Sequence, residues 1–384
     1  MTERLYDIDA YLSAFEATVT GCRAHGKGYA VLLDRTAFFP EGGGQGGDSG
    51  RIGSLPVRDT QEEGGEILHL TDEPCEVGAT LSCEIDFSKR FDRMQNHSGE
   101  HIVSGLVHRL FGLDNVGFHL GDNETTLDFN GVLDRAQLDR VEALANEAVF
   151  ANLPILCRYP AEGELAALDY RSKKELSGAV RIVTVEGYDC CACCAPHVSR
   201  TGEIGLIKLL DFIHYKGGVR IWLVAGRRAL QDYREKYREV SAVSRALSVP
   251  QAECAAGVER LLSELEERKA SATALSRELA EARVAAMAPN EAGHALCFLS
   301  EPDEYVARRI ALGGAERVPG VCAVFFPAGN GYRFMIASQH LPLRARAAAI
   351  REALSARGGG TDDLLQGSAA ADKARIEQYF SRLL

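Results

Sequence analysis

No run of about eighteen apolar residues occurs in this sequence, which excludes a helix that spans a membrane. The first residues, MTERLYDIDAYL, lack both the basic start and the apolar segment of a signal peptide, so a cytoplasmic protein is expected. Fixed-period repeats and a low-complexity tail are missing as well. Positive charge is in deficit: a formal net charge of −11 argues against binding nucleic acid through overall charge. It leaves room for a local basic strip. Arg171, Lys173 and Lys174 with Arg181, then Lys208, Lys216, Arg220, Arg227 and Arg228, gather positive charge around one part of the chain, as a phosphate-binding surface or as an ordinary solvated face.

What is present is enough for two or three domains with real cores, since the 384 residues are 46% hydrophobic and 25% charged. Cysteine is plentiful. Eleven are present, and in a reducing compartment a tight thiol group reads as metal-binding or reactive rather than disulfide-bonded. Four of them crowd into DCCACCAPH, residues 189 to 197.

The pattern along the chain predicts an α+β protein in four parts. Residues 1–88 carry β-rich runs (GYAVLLD, SLPVRD, EILHL, ATLSCEIDF) between glycine-rich breaks, a β module with a glycine motif. In 89–226, Met94, Ile102, Val103, Leu106, Val107 and Leu110 recur at helical intervals. GVLDRAQLDRVEALANEAVFANL is a second amphipathic helix, and RIVTVEGYD, IGLIKLLDFIHY and GVRIWLVAG read as strands. Over 227–288, apolar or small residues from Val258 to Ala286 alternate three and four apart, predicting a helical hairpin or coiled coil with its corner at Pro250. Residues 289–384 read as a small α/β domain.

His97 and His101 lie four residues apart on the first helix, hence on one face, where they can grip one metal ion. His108, two turns on, is too far along the axis to share it. Cys193 and His197 repeat the spacing, and one thiolate with three imidazoles suits tetrahedral zinc. Spacing alone does not select the thiol, because Cys190 with Cys193, or Cys191 with Cys194, also makes a C-x-x-C clip. The third feature runs from Thr36 through Gly42-Gly43-Gly44-Gln45 to Asp48. Glycines let its backbone approach a ligand closely, but it lacks the lysine and hydroxyl residue of a P-loop.

TAFFPEGGGQGGDSG, NHSGEHIVSG, CCAPH followed by VSRTGEIG, and the late GGGTDDLLQGSA together resemble the alanyl-tRNA editing proteins, the AlaX family, in their long form with a domain like the C-terminal domain of alanyl-tRNA synthetase. The resemblance spans nearly the whole chain and keeps motif order. It implies zinc held by His97, His101, Cys193 and His197, choosing Cys193 over its neighbours. It also implies hydrolysis of the ester that joins serine or glycine wrongly to tRNA(Ala), a proofreading step needed because an alanine pocket rejects neither strongly. Thr36 would then meet the serine hydroxyl and Gln45 would place the ester, with Gly43, Gly44, Lys173 and Arg181 as further substrate contacts. The C-terminal domain would touch the outer corner of the tRNA and support a homodimer. Two departures stand out. Cys194-Ala195-Pro196 replaces the family's common Gly-Gly-Thr between the cysteine and histidine ligands, and the bulk needed for aminoacylation is lacking, so the expectation is proofreading alone.

Two other readings compete. His97-Ser98-Gly99-Glu100-His101 satisfies the H-x-x-E-H pattern of a zinc metalloprotease with Glu100 as general base. A non-catalytic RNA-binding protein with structural zinc is the other.

Overall fold

In the computed structural model, residues 2–122, 124–172 and 179–382 are described. They form two compact units, Met1–Ser241 and Ala242–Leu384. The helix Arg227–Leu247 carries the chain across that division, which falls fifteen residues beyond position 226. None of the described helices is long and apolar enough to cross a membrane.

The first unit begins with a closed six-stranded barrel. Its strands, in order around the wall, are Ala14–His25, Gly28–Leu33, Glu66–Thr71, Leu55–Glu63, Gly50–Ile52 and Thr80–Ile85. Alternation sends Val19, Val31, Leu33, Ile52, Val57 and Ile85 inward, where they close around Phe38. Closure also removes exposed sheet edges. The first strand was not foreseen, because AFEATVTGCRAH alternates weakly and breaks register between Val19 and Gly21.

A long helix, Phe87–Phe111, follows directly. Asp86 caps its start by accepting from the Lys89 N–H, and Gly112, at φ 67°, ends it in the left-handed conformation that glycine adopts without strain. This helix is buried almost throughout. Its apolar side, including Met94, Ile102 and Leu106, packs with helix Arg135–Ala151 and a four-stranded sheet ordered Ile207–Tyr215, Gly218–Ala225, Thr125–Phe129, Asn115–Leu120. A smaller antiparallel sheet, Ile155–Arg158, Ile182–Val185 and Asp189–Ala192, lies on the other side. The first half of the cysteine run, Asp189–Ala192, is therefore a strand, paired Ile182 to Ala192 and Val185 to Asp189, and Cys193 and Cys194 follow it. Gly105 permits the approach: a Cβ there would stand 2.2 Å from the Tyr188 carbonyl oxygen.

In the second unit, helix Cys254–Ala285 precedes a five-stranded sheet ordered Ala295–Phe298, Cys322–Ala328, Gly331–Ala337, Leu364–Ala369, Ala356–Gly360. The strand alternation splits its core. Cys322, Val324 and Phe326 face helix Glu304–Ala315, whereas Ala323 and Phe325 face helices Leu343–Ala353 and Lys373–Phe380. The glycine-rich tail forms the hairpin at one edge of this sheet. The seam expected to bury a coiled coil does not do so within the chain: Val258, Leu261, Leu265, Leu275 and Leu279 are all exposed.

Candidate metal centre

His97 and His101 sit one turn apart on the buried helix, and Cys193 and His197 come from the segment that leaves the cysteine strand. Their four donor atoms all lie within 4.8 Å of one another. The Cys193 sulfur is 3.6 Å from His97 Nε2 and 3.5 Å from His197 Nε2. Donors bound tetrahedrally to zinc at ordinary Zn–N and Zn–S lengths would stand about 3.6 Å apart. Among the described residues the group that holds all three imidazoles contains Cys193 and no other cysteine, and a second group, His101, Asp189 and Cys191, shares only His101 with it.

The surroundings orient every imidazole the same way. His97 Nδ1 lies 2.9 Å from Gln45 Oε1, His101 Nδ1 2.9 Å from Asp189 Oδ2, and His197 Nδ1 3.0 Å from Ser98 Oγ. The amide and carboxylate oxygens can only accept, so His97 and His101 carry their protons on Nδ1 and turn the Nε2 lone pair toward the thiol. Outer partners of this kind fix the tautomer and raise ligand basicity in metal sites. Burial pushes the Cys193 thiol above its ordinary range and, with His101 and His97 nearby, holds His197 well below its own. An apolar pocket that resists both thiolate and imidazolium is stabilised by a divalent cation, which supplies the missing positive charge. The residues fit zinc.

The glycine loop closes over this centre. Gln45 is fully buried, its Oε1 taken by His97, and its Nε2 has no hydrogen-bond partner among the described residues. Gly42 and Gln45 exchange backbone hydrogen bonds at 3.0 Å, and Gly43 and Gly44 take φ values of 61° and 84° between them. Two arginines of the long helix hold the loop. Arg90 forms a buried ion pair with Asp48 and donates to the Ala10 carbonyl, and Arg93 donates to the carbonyls of Gly46 and Gly47. Cys194 packs on the loop from the other side: its sulfur would be 3.6 Å from a Cβ at Gly43.

Thr36 and Arg181 have partners within the protein, and a third expected contact is not described. Thr36 is fully buried just past the barrel strand Gly28–Leu33, in a short strand paired with Glu3–Arg4, and its hydroxyl lies 2.8 Å from Nε2 of the barrel residue His69. Arg181 is buried too, and its Nη1 donates to the carbonyls of Cys193 at 3.1 Å and Ala195 at 2.8 Å, so it braces the ligand segment. Lys173 lies outside the described residues. The basic strip is largely neutralised: Arg171 pairs with Asp189, Lys208 with Glu142, Arg220 with Asp128 and Arg228 with Asp92. His108 is exposed and contacts Asp114. Glu100 is buried, and its Oε1 accepts from Ser104 Oγ and Asn115 Nδ2, both at 2.7 Å. The bracing residues Ser98, Asp189, Arg90 and Arg93 were missed from sequence. Their only signal is proximity to a ligand or the glycine motif.

Residues 180–226, which include Cys193 and His197, match the family described as the Threonyl and Alanyl tRNA synthetase second additional domain. That stretch is similar to the domain so described. Alanyl-tRNA editing protein AlaX-L of Pyrococcus horikoshii is 34% identical over 251 residues, 62% of this chain and 62% of that protein. Alanyl-tRNA editing protein Aarsd1 of Mus musculus is 26% identical over 390 residues, 96% of this chain and 94% of that protein. An alanine-tRNA ligase of Pyrobaculum neutrophilum is 30% identical over 406 residues, 100% of this chain and 44% of the ligase. The chain spans less than two thirds of AlaX-L and less than half of the ligase. These matches bear out the resemblance to alanyl-tRNA editing proteins of the AlaX type.

Proposed function

We propose that this protein hydrolyses tRNA(Ala) mischarged with serine or glycine, acting in trans on a substrate made by the synthetase. The observation that carries the reading is the unpartnered Gln45 amide buried beside a ready-made zinc ligand set, in a chain similar to editing proteins. Held at Oε1 by His97, Gln45 has only N–H groups left to offer. A fixed donor at that place suits the ester carbonyl, whose oxygen gains negative charge as water adds to the carbon. Gly43 and Gly44 add backbone N–H groups in a concave turn. Bound zinc would supply Lewis-acid polarisation at this centre. The ester C–O bond then breaks, and the terminal ribose oxygen leaves with a proton.

Thr36 is assigned to the serine hydroxyl. It donates to His69, whose Nδ1 proton goes to the Val31 carbonyl, and it accepts from the Phe38 N–H. One lone pair remains, so Thr36 is an acceptor for a substrate O–H. Because it is buried, the segment 36–48 must yield as substrate arrives. The C-terminal unit is assigned a second tRNA contact and a homodimer contact. Deacylation of Ser-tRNA(Ala), Gly-tRNA(Ala) and Ala-tRNA(Ala) by purified protein is the test. Ser-tRNA(Ala) is expected to be cleaved faster than Ala-tRNA(Ala), and Thr36→Val to blunt the difference. Equal rates on both substrates would refute the editing assignment.

A further inference from the structure

Several cations near the metal centre are paired, yet on the helix Arg227–Leu247 only Arg228 and Lys236 have an ion pair among the described residues. At about 100° per residue, Arg227, Leu230, Tyr233, Arg234, Tyr237 and Arg238 fall within one arc of the helix, and Asp232, Glu235 and Glu239 fall on the other side. Arg234 and Arg238 have no ion pair among the described residues, and both are exposed. Beside them, Tyr233 and Tyr237 stack on each other with ring centroids 6.2 Å apart and planes 25° from parallel, and they are 63% and 53% exposed. The groove of about 770 Å³ beside the first turns is lined by carboxylates (Asp92, Asp122, Asp232 and Glu235) as well as by Arg227, Arg228 and Arg234, so the open cationic and aromatic surface is the face that carries Tyr233, Arg234, Tyr237 and Arg238.

Two large rings left open to water, next to unpaired guanidinium groups on a chain of net charge −11, form a surface with a particular partner chemistry. An acidic protein would use the arginines but has no need of flat, paired rings. RNA uses both: phosphates meet guanidinium groups, and an unstacked base lies against an aromatic face. We propose that this helix face binds RNA, with a nucleobase stacked on Tyr233 and Tyr237 and flanking phosphates at Arg234 and Arg238. The inference rests on tRNA as the substrate and adds a contact made by none of the metal-ligand residues.

The test measures binding of uncharged tRNA(Ala) to the full-length protein across a salt series. Tyr233→Ala with Tyr237→Ala should weaken binding about ten-fold at every salt concentration, because stacking is not ionic. The paired Tyr→Phe variants should restore it. Arg234→Ala with Arg238→Ala should instead flatten the dependence of log affinity on log salt by about 1.5, two phosphate contacts at roughly 0.7 to 0.9 each. Zinc content should not change in any of them. The proposal falls if the Tyr→Ala pair binds like the parent, or if the Phe pair is as weak as the Ala pair. It falls also if the Tyr→Ala pair alters sedimentation and not tRNA affinity, which would make the face a contact between copies of this chain. Uncharged tRNA carries no aminoacyl ester, so a protein that binds it through this face and hydrolyses no mischarged tRNA would refute the editing reading and leave this surface standing.

Discussion

Asp189 grips His101 through a contact of 2.9 Å between Oδ2 and Nδ1, and its other oxygen is held 2.8 Å from Arg171 Nε. The carboxylate is thereby fixed at both ends, and the ring it orients cannot turn its Nε2 away from the thiol. Asp189→Asn keeps the volume but loses the charge and one acceptor. Zinc affinity should fall about ten- to a hundred-fold, the usual consequence of removing such an outer partner. Competition against a chelator reads this directly, and an unchanged affinity would reduce Asp189 to a packing role.

Glu100 separates the two hydrolase readings. A protease needs its carboxylate as a base, whereas in the deacylase it serves Ser104 and Asn115. Glutamine retains an acceptor oxygen for them. Glu100→Gln is therefore expected to keep deacylation of Ser-tRNA(Ala) within a few-fold of the parent. Loss by a factor of a hundred or more with zinc still bound would show that the carboxylate takes part in the chemistry.

His69 gives a stability prediction with a definite sign. Burial lowers its pKa from 6.5 to about 4, partly opposed by the hydrogen bond to the Val31 carbonyl. The unfolded chain takes up a proton between these values and the folded chain does not. Its contribution is therefore complete above pH 6.5 and is lost as pH falls toward 4. The loss amounts to about 3 kcal/mol. Denaturant midpoints for the parent and His69→Gln, compared at equal zinc content, should converge as pH falls through this window. A constant difference would mean that His69 titrates normally.

Much of this site was readable because helical geometry is local. His97 and His101 need only a spacing of four residues to share a face, and the buried helix supplies it. Cys193 was harder. The strand Asp189–Ala192 ends before it, so choosing one thiol of four needs the path of the segment that leaves the strand toward the helix carrying His97 and His101, a tertiary fact. Arg181 misled for the opposite reason: a charge in a basic stretch reads as a surface, and only the fold shows that it is spent on two carbonyls of the ligand segment. Tyr233 and Tyr237 drew no notice, since their significance lies in exposure, which no pattern encodes.

The C-terminal unit leads to the last prediction. Val284 and Met287, near the end of helix Cys254–Ala285, pack against the core of the sheet that follows. A cut near Met287 would strip that face and expose it. The better place is Ser248, at φ 54° and two residues before Pro250, where the preceding helix has ended. A protein ending there keeps the ligand helix, the glycine loop and the tyrosine face. If the removed part supplies a second contact on the same tRNA, its effect is one of effective concentration. The tRNA concentration for half-maximal deacylation should then rise at low salt, and the gap to the parent should close as salt rises because phosphate contacts dominate. Zinc content and turnover at saturation should stay within two-fold. A truncated protein that matches the parent at every salt concentration would instead leave self-association as the role of the unit, and sedimentation of the two proteins would then show the parent as the larger species by more than its added mass.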